Sequence, residues 1–211
     1  MDIVLAGIGF VFTSPLFVVA AVAIKLSSSG PVFYRAQRAG KGGVPFVMLK
    51  FRTMRVGADA ASRITAGEDD RIFPTGRVLR RFKLDELPQL LNVLRGEMSI
   101  VGPRPEDLSI VEEHYTSWMR ETLAVAPGIT SPGSLHGTML GDELGSADPE
   151  ADYLRDVLPL KLALELQYVR NASLTTDLRL IVRTVLLIGR RTTAEHEAEL
   201  VDARRLLSTL G

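Results

Sequence analysis

The chain contains no cysteine. Disulfides, thiolate metal sites and thiol nucleophiles are thereby excluded, and the composition suits a reducing compartment. Neither charge is in excess: 25 basic residues balance 25 acidic ones, so the net charge argues for no nucleic-acid partner and none is expected. Internal repeats and low-complexity segments are also missing. Chemistry is left to carboxylates, hydroxyls, histidines and cations. The 211 residues, 46% of them hydrophobic, suffice for one domain with a real core and a short appendage.

Charge disappears altogether from Ile3 to Ile24, a run bounded by Asp2 and Lys25. As one helix it would reach about 33 Å, which is membrane length. No basic segment precedes it and no small-residue cleavage site ends it, so a cleaved signal peptide is not expected. Within "FTSPLF", Pro15 has no N–H and clashes with the carbonyl of Val11, marking Ser14 and Pro15 as the expected helix break. A re-entrant segment of two short halves is one reading and a proline-kinked single span is the other. The Thr13 and Ser14 hydroxyls are placed to satisfy the freed carbonyls. Lys25, Arg35, Arg38 and Lys41 all follow the run, which puts the rest of the chain on the cytoplasmic face.

"PVFYRAQ" and "VPFVMLKF" read as two strands joined by the Gly-rich loop "RAGKGG", an ordinary hairpin loop rather than a phosphate cradle. A helical pattern follows in "LKFRTMRVGADAASRI", with Lys50 and Arg52 two residues apart on one face if the strand persists. Glu68, Asp69 and Asp70 read as a solvated turn and not a metal site. The basic run Arg77, Arg80, Arg81 and Lys83 suits anionic headgroups.

In "LDELPQLLNVLRGEMSIVGPRP", Leu84, Leu87, Leu91 and Leu94 recur at helical spacing, Pro88 marks the helix start and Gly96 its end. Asp85 and Glu86 therefore fall at a helix N-terminus. Capping alone would account for both. The surroundings offer a second account: cations lie upstream, and Pro103 and Pro105 hold Arg104 in a stiff segment suited to bidentate phosphate recognition. An aspartate kept ionised by such charge can attack phosphorus, and a neighbouring carboxylate can hold magnesium.

"KFRTM", "LDELPQLLNVLRGEMSIVGPRPE" and "APGIT", in this order, resemble the bacterial sugar transferase family of monotopic phosphoglycosyl transferases. That resemblance runs from Asp2 to about Ile188. It implies an α+β, predominantly helical protein with an N-terminal re-entrant membrane helix, a small β-hairpin and interfacial amphipathic helices. The implied divisions are 1–26 for the membrane helix, 27–189 for the catalytic domain and 190–211 for a C-terminal helical tail. It also implies a monotopic place on the cytoplasmic leaflet of the bacterial inner membrane.

By the same resemblance, Asp85 attacks the β-phosphorus of a nucleotide sugar, probably a UDP-sugar, and releases UMP; polyprenyl phosphate then takes the phosphosugar from the aspartyl intermediate. Glu86 corresponds to the family's magnesium-binding glutamate, Arg104 to its phosphate-contacting arginine, and Lys50 and Arg52 to active-site cations. Two rival readings stand beside it, a membrane-attached glycosyltransferase that releases UDP and a non-catalytic anchored scaffold. The sequence leaves open whether the chain forms a homo-oligomer.

Departures from the family pattern are local. Relatives carry a basic pair ahead of the Asp2 position, and "PGITSPGSLHG" has Ser134 and Thr138 where many carry glutamine and arginine. His136 reads as a solvated loop residue, as do Asp142 and Glu143. Downstream, "YLRDVLPLKLALELQYV" reads as a core helix and "LTTDLRLIVRTVLLI" as a membrane-contacting one. Thr192 and Glu195 have capping-box spacing ahead of a terminal helix whose leucine stripe suits a partner surface.

Overall fold

The computed structural model describes residues 1–58, 69–140, 149–187 and 196–210. The apolar run forms a single helix, α1 (Asp2–Ser27), which continues through Pro15. The expected break at Ser14 and Pro15 is therefore absent, for a local reason. Ser14 Oγ donates to the Val11 carbonyl at 2.8 Å, the acceptor that Pro15 cannot serve, and Thr13 Oγ1 donates to Gly9 at 2.7 Å. Helices in apolar surroundings tolerate proline when side-chain hydroxyls close the gap in this way.

One face of α1 rests on the domain along its whole length. Ala6 packs with Ala36, Phe46, Met48, Val93 and Met98, while Ala20 and Ile24 pack with Phe51, Phe73 and Leu79. At the N-terminal end Asp2 accepts a hydrogen bond from Ser99 Oγ at 2.7 Å. The opposite face exposes Ile3, Val4, Val11, Phe12, Val18 and Val19.

β1 (Phe33–Ala39) and β2 (Pro45–Phe51) form the expected antiparallel hairpin, with Phe33 opposite Phe51 and Ala39 opposite Pro45. Its loop is a 3-10 turn over Lys41–Gly43, with Gly42 at φ 68°. No helix forms over residues 52–57, and the remainder of the expected helical stretch lies outside the described residues from 59 onward. Met54 instead bridges Ile72, and the Arg55 N–H donates to the Arg71 carbonyl, so backbone pairing takes this stretch away from the helical pattern. Asp69 is held in an ion pair with Arg71 at 2.6 Å rather than left in a solvated turn. Glu68 lies outside the described residues.

α2 (Pro74–Arg81) leads into a 3-10 turn, Leu84–Glu86, and then α3 (Gln89–Leu94), which opens at Pro88 as its proline predicts. Gly96, at φ 75°, ends α3 in the left-handed conformation that glycine adopts without strain. β3 (Ser99–Val101) and β4 (Gly128–Thr130) make a second, parallel two-stranded sheet, with α4 (Leu108–His114) and α5 (Ser117–Arg120) between them in sequence. α6 (Pro132–Leu140), α7 (Pro149–Asp152), α8 (Leu158–Arg170), α9 (Leu174–Leu187) and α10 (His196–Leu210) complete a predominantly helical chain.

α8 is the core helix. Leu158 and Leu162 join Ile110, Val111, Tyr115 and Met119 on one side. On another, Leu160, Ala163 and Leu164 receive Ala203, Leu206 and Leu207, so the leucine stripe of α10 covers α8 of its own chain. α9 buries Leu180 against Val101 and Tyr168 and exposes Leu174, Leu178, Val182 and Val185 along one stripe. His136 is 1% exposed within α6, which corrects its reading as a solvated loop histidine; helix formation at Pro132 turns that segment inward. Asp142, Glu143, Thr192 and Glu195 lie outside the described residues.

The second sheet depends on two glycines. A Cβ on Gly128 would lie 2.1 Å from the Gly102 nitrogen, and one on Gly102 would lie 2.5 Å from the Ala126 carbonyl oxygen. Gly128→Ala is expected to cost about 2 kcal/mol or more, since overpacking against backbone has no flexible side chain to absorb it. A thermal midpoint within 1 °C of the parent, measured in the same detergent, would show that the strands separate freely.

Candidate active site

Three separate parts of the chain meet around Glu86. Lys50 comes from the end of β2, Asp85 and Glu86 from the turn ahead of α3, and Arg104 from the proline-flanked segment behind β3. β2 and α3 are fixed to each other by Asn92, which is fully buried. Its Oδ1 accepts from Leu49 N at 3.0 Å and its Nδ2 donates to the Val47 carbonyl at 2.8 Å. One side-chain amide thus sets the strand carrying Lys50 against the helix that follows the acidic pair.

The turn itself is strained into place. Lys83 adopts φ 55°, the only positive φ at a non-glycine among the described residues, and redirects the chain between α2 and the acidic pair. Such a conformation costs an ordinary side chain about 1–2 kcal/mol. Neither Asp85 nor Glu86 makes a capping hydrogen bond. Asp85 Oδ1 is buried and has no hydrogen-bond partner, so capping does not explain this residue.

Glu86 is the paired member. Arg104 binds it through both terminal nitrogens, Nη1 to Oε2 at 3.1 Å and Nη2 to Oε1, while Lys50 Nζ approaches Oε1 at 3.5 Å. Burial pushes the Glu86 carboxyl up, but the positive charges of Arg104, Lys50 and Lys83 outweigh it and hold the group far below the usual carboxylate range. Asp85 moves the other way: burial raises it, Glu86 adds to the rise, and Lys50, Arg80 and Lys83 only partly oppose them. The Lys50 ammonium is itself lowered by burial to about 8, against the pull of Glu86. Two adjacent carboxylates are therefore pushed apart, one firmly ionised and one held at higher free energy when charged. Acid–base and nucleophilic roles are separated in this manner.

Arg104 is supported from behind by α8. Its backbone N–H donates to Glu165 Oε1 at 3.2 Å, and that oxygen also accepts from Ser131 Oγ at 2.6 Å. Two residues on, Glu106 takes Lys161 Nζ at 2.7 Å and the Tyr153 hydroxyl at 2.5 Å. Burial acts to raise Glu106, but Lys161 and these hydrogen bonds bring it down to about 2. Glu165, Lys161, Tyr153 and Asn92 belong to the site's support and were not singled out from sequence. The four-residue spacing of Lys161 and Glu165 inside an otherwise apolar helix is the signal that could have found two of them.

Of the residues expected at the site, the structure brings together Lys50, Asp85, Glu86 and Arg104. Arg52 is placed elsewhere, its guanidinium on the carbonyls of Ser28, Pro31 and Met54. Ser14 and Pro15 lie in the exposed middle of α1. Among the described residues no three carboxylates or histidines gather as a metal site. Magnesium is typically held by one or two carboxylates together with substrate phosphates; here the unpartnered buried oxygen is Asp85 Oδ1, and Glu86 would reach a metal ion in exchange for part of its contact with Arg104 or Lys50.

The arrangement makes a stability prediction. A carboxylate raised by burial weakens the fold above its folded pKa and is neutral below its unfolded one. Asp85→Asn should leave the melting temperature unchanged or higher at pH 7, with any gain vanishing as pH falls through the ordinary carboxylate range. A lower midpoint for Asp85→Asn at pH 7 would mean that the charge is stabilised by contacts other than these.

The family described as bacterial sugar transferase matches residues 1–191. A UDP-glucose:undecaprenyl-phosphate glucose-1-phosphate transferase of Caulobacter vibrioides is 38% identical over 88% of this chain and 67% of its own. One of the same name from Xanthomonas campestris pv. campestris is 40% identical over 90% of this chain and 38% of its own. A UDP-N-acetylgalactosamine-undecaprenyl-phosphate N-acetylgalactosaminephosphotransferase of Aeromonas hydrophila is 36% identical over 89% of this chain and 42% of its own. The chain thus spans well under half the length of the last two.

Proposed function

The chain belongs to the bacterial sugar transferase family, and on that premise we propose that it transfers a sugar 1-phosphate from a UDP-sugar to polyprenyl phosphate, releasing UMP. The relatives named above act on UDP-sugars and undecaprenyl phosphate by name, with glucose in two and N-acetylgalactosamine in the third. The observation that carries the reading is Asp85: buried, with an unpartnered oxygen, beside cations that are held in position by a different carboxylate.

In the first displacement a carboxylate oxygen of Asp85 bonds to the β-phosphorus of the donor. The bond from that phosphorus to the bridging oxygen breaks, and its electron pair leaves with UMP. Ionised Asp85 is raised in free energy by burial and by Glu86, and forming the acyl phosphate removes charge from that carboxyl. Lys50 and Arg104 stand where negative charge develops on the phosphoryl oxygens, and Glu86 keeps both in place. In the second displacement a phosphate oxygen of polyprenyl phosphate attacks the same phosphorus, and Asp85 departs as the carboxylate. Glu86, with the substrate phosphates, would hold a magnesium ion, which supplies neutralisation of the diphosphate charge when bound.

We place the protein on the cytoplasmic face of the inner membrane, with α1 in one leaflet and both of its ends on the same side. Support comes from α1 itself. It is long and apolar enough to cross a membrane, yet residues from both of its halves pack on one domain. The exposed stripe on α9 offers a second apolar contact.

A panel of UDP-sugars with polyprenyl phosphate, read out by nucleotide release, tests the chemistry. UMP is expected with one or a few sugars, while UDP as the sole nucleotide product would make the chain a simple glycosyltransferase. Asp85→Asn should abolish the phosphosugar adduct and turnover, at least 1000-fold, and Glu86→Gln should lower turnover at least tenfold; comparable turnover by Asp85→Asn would end the covalent mechanism. For topology, single cysteines at Met1 and Ser29 of this cysteine-free chain should both react with an impermeant thiol reagent from the cytoplasmic side. Reaction from opposite sides would establish a true span.

A further inference from the structure

Arg52 is 5% exposed and lies two residues beyond Lys50. Four of its five N–H groups are committed to the chain around the end of α1. Nε donates to the Pro31 carbonyl at 2.6 Å, Nη1 to Ser28 Oγ at 2.8 Å and to the Met54 carbonyl at 3.3 Å, and Nη2 to the Ser28 carbonyl at 2.9 Å. Ser28 is the residue that ends α1. The guanidinium therefore sits at the negative end of a 26-residue helix, where a fixed cation is favourable.

The remaining surface of the group is also covered. Phe73 lies under the guanidinium, with 5.4 Å between the ring centre and the guanidinium carbon. The turn that wraps it passes through Gly30 at φ 115°, where a Cβ would come within 2.7 Å of Val56 and 3.6 Å of the guanidinium carbon. A phosphate would have to displace several of these carbonyls to obtain a bidentate face. Among the described residues no carboxylate pairs with Arg52, so three backbone carbonyls and the Ser28 hydroxyl meet its charge.

We propose that Arg52 is a positioning residue that locks the C-terminal end of α1 to the strand carrying Lys50, and that it does not bind substrate phosphate. It gives the "KFR" triplet two jobs, with Lys50 facing the acidic pair and Arg52 the membrane helix. The strand links them, so the seat of α1 in the lipid and the placement of Lys50 are set together. Lysine cannot do the same, because a single ammonium has no rigid fork to hold Ser28 and Pro31 at once. The inference rests on the phosphosugar-transfer reading for its kinetic arm only.

The test uses the full chain in membranes with one introduced cysteine, Ile24→Cys, at a fully buried position one helical turn before Ser28. In that background Arg52→Ala should raise the maleimide labelling rate about tenfold, and Arg52→Lys should give an intermediate rise. Ser28→Ala, which removes one acceptor and keeps the arginine, should raise it about twofold. In the covalent half-reaction, the KM for the UDP-sugar should stay within threefold in all three while overall turnover with polyprenyl phosphate falls at least tenfold in Arg52→Ala. Unchanged labelling in Arg52→Lys and Ser28→Ala would overturn the clamp, whether or not Arg52→Ala folds. A donor KM raised tenfold or more with labelling unchanged would make Arg52 a phosphate ligand. Absence of any adduct in the parent protein would count against the transfer reading, while labelling would still decide the clamp.

Discussion

Between Arg104 and Glu86 run two hydrogen bonds that tie the segment behind β3 to the turn ahead of α3. Each group is largely but not fully withdrawn from solvent, and removing either would leave the other's charge without its main partner. Because Glu86 absorbs the guanidinium, and Lys50 as well, the neighbouring Asp85 is left with cations close by and an oxygen that none of them occupies. One carboxylate organises the field and the other is free to use it. The asymmetry arises from partners alone, since the two side chains differ by one methylene and adjoin in sequence.

Holding that pair requires a rigid frame on both sides. Asn92 fixes β2 to α3 through hydrogen bonds to Val47 and Leu49, while Glu165 and Lys161 of α8 hold Arg104 and Glu106 from the opposite direction. Gly102 and Gly128 let the two strands approach so closely that the Gly128 N–H donates to the Pro103 carbonyl at 2.9 Å, one residue before Arg104. Polar groups inside an apolar core are costly unless paired. Pairing from α8, Ser131 and Gly128 converges on Pro103, Arg104 and Glu106, through the Pro103 carbonyl, the Arg104 N–H and the Glu106 carboxylate.

Local patterns carried much of this architecture into view. The hairpin, the opening of α3 at Pro88, its close at Gly96 and the apolar core helix α8 follow from turn chemistry and local hydrophobic patterning, which act over a few residues. The acidic pair and Arg104 were legible as candidates because proline and helix-start signals surround them. What periodicity cannot report is a partner distant in the chain. Asp85 could be taken for a cap until the missing hydrogen bond and the Glu86–Arg104 pair were seen. Arg52 has the same composition context as Lys50, yet its neighbours at Ser28 and Pro31 assign it differently. His136 sits in a Gly- and Ser-rich stretch that reads as loop, and its burial comes from tertiary packing around α6. At Met54 and Arg55, backbone pairing with Ile72 and Arg71 overrides the start of a helical pattern whose later residues lie outside the described ones.

The contacts of α1 have a consequence for how the protein is made. Asp2 meets Ser99, and Ala6 meets Val93 and Met98, so α1 leaves the ribosome well before the residues that cover it. Through most of that interval α1 has neither its inner face covered nor any part of α3 to lean on. A 26-residue apolar helix in water for that time is an aggregation hazard. Covering of α1 by some other apolar surface therefore has to precede folding of the domain.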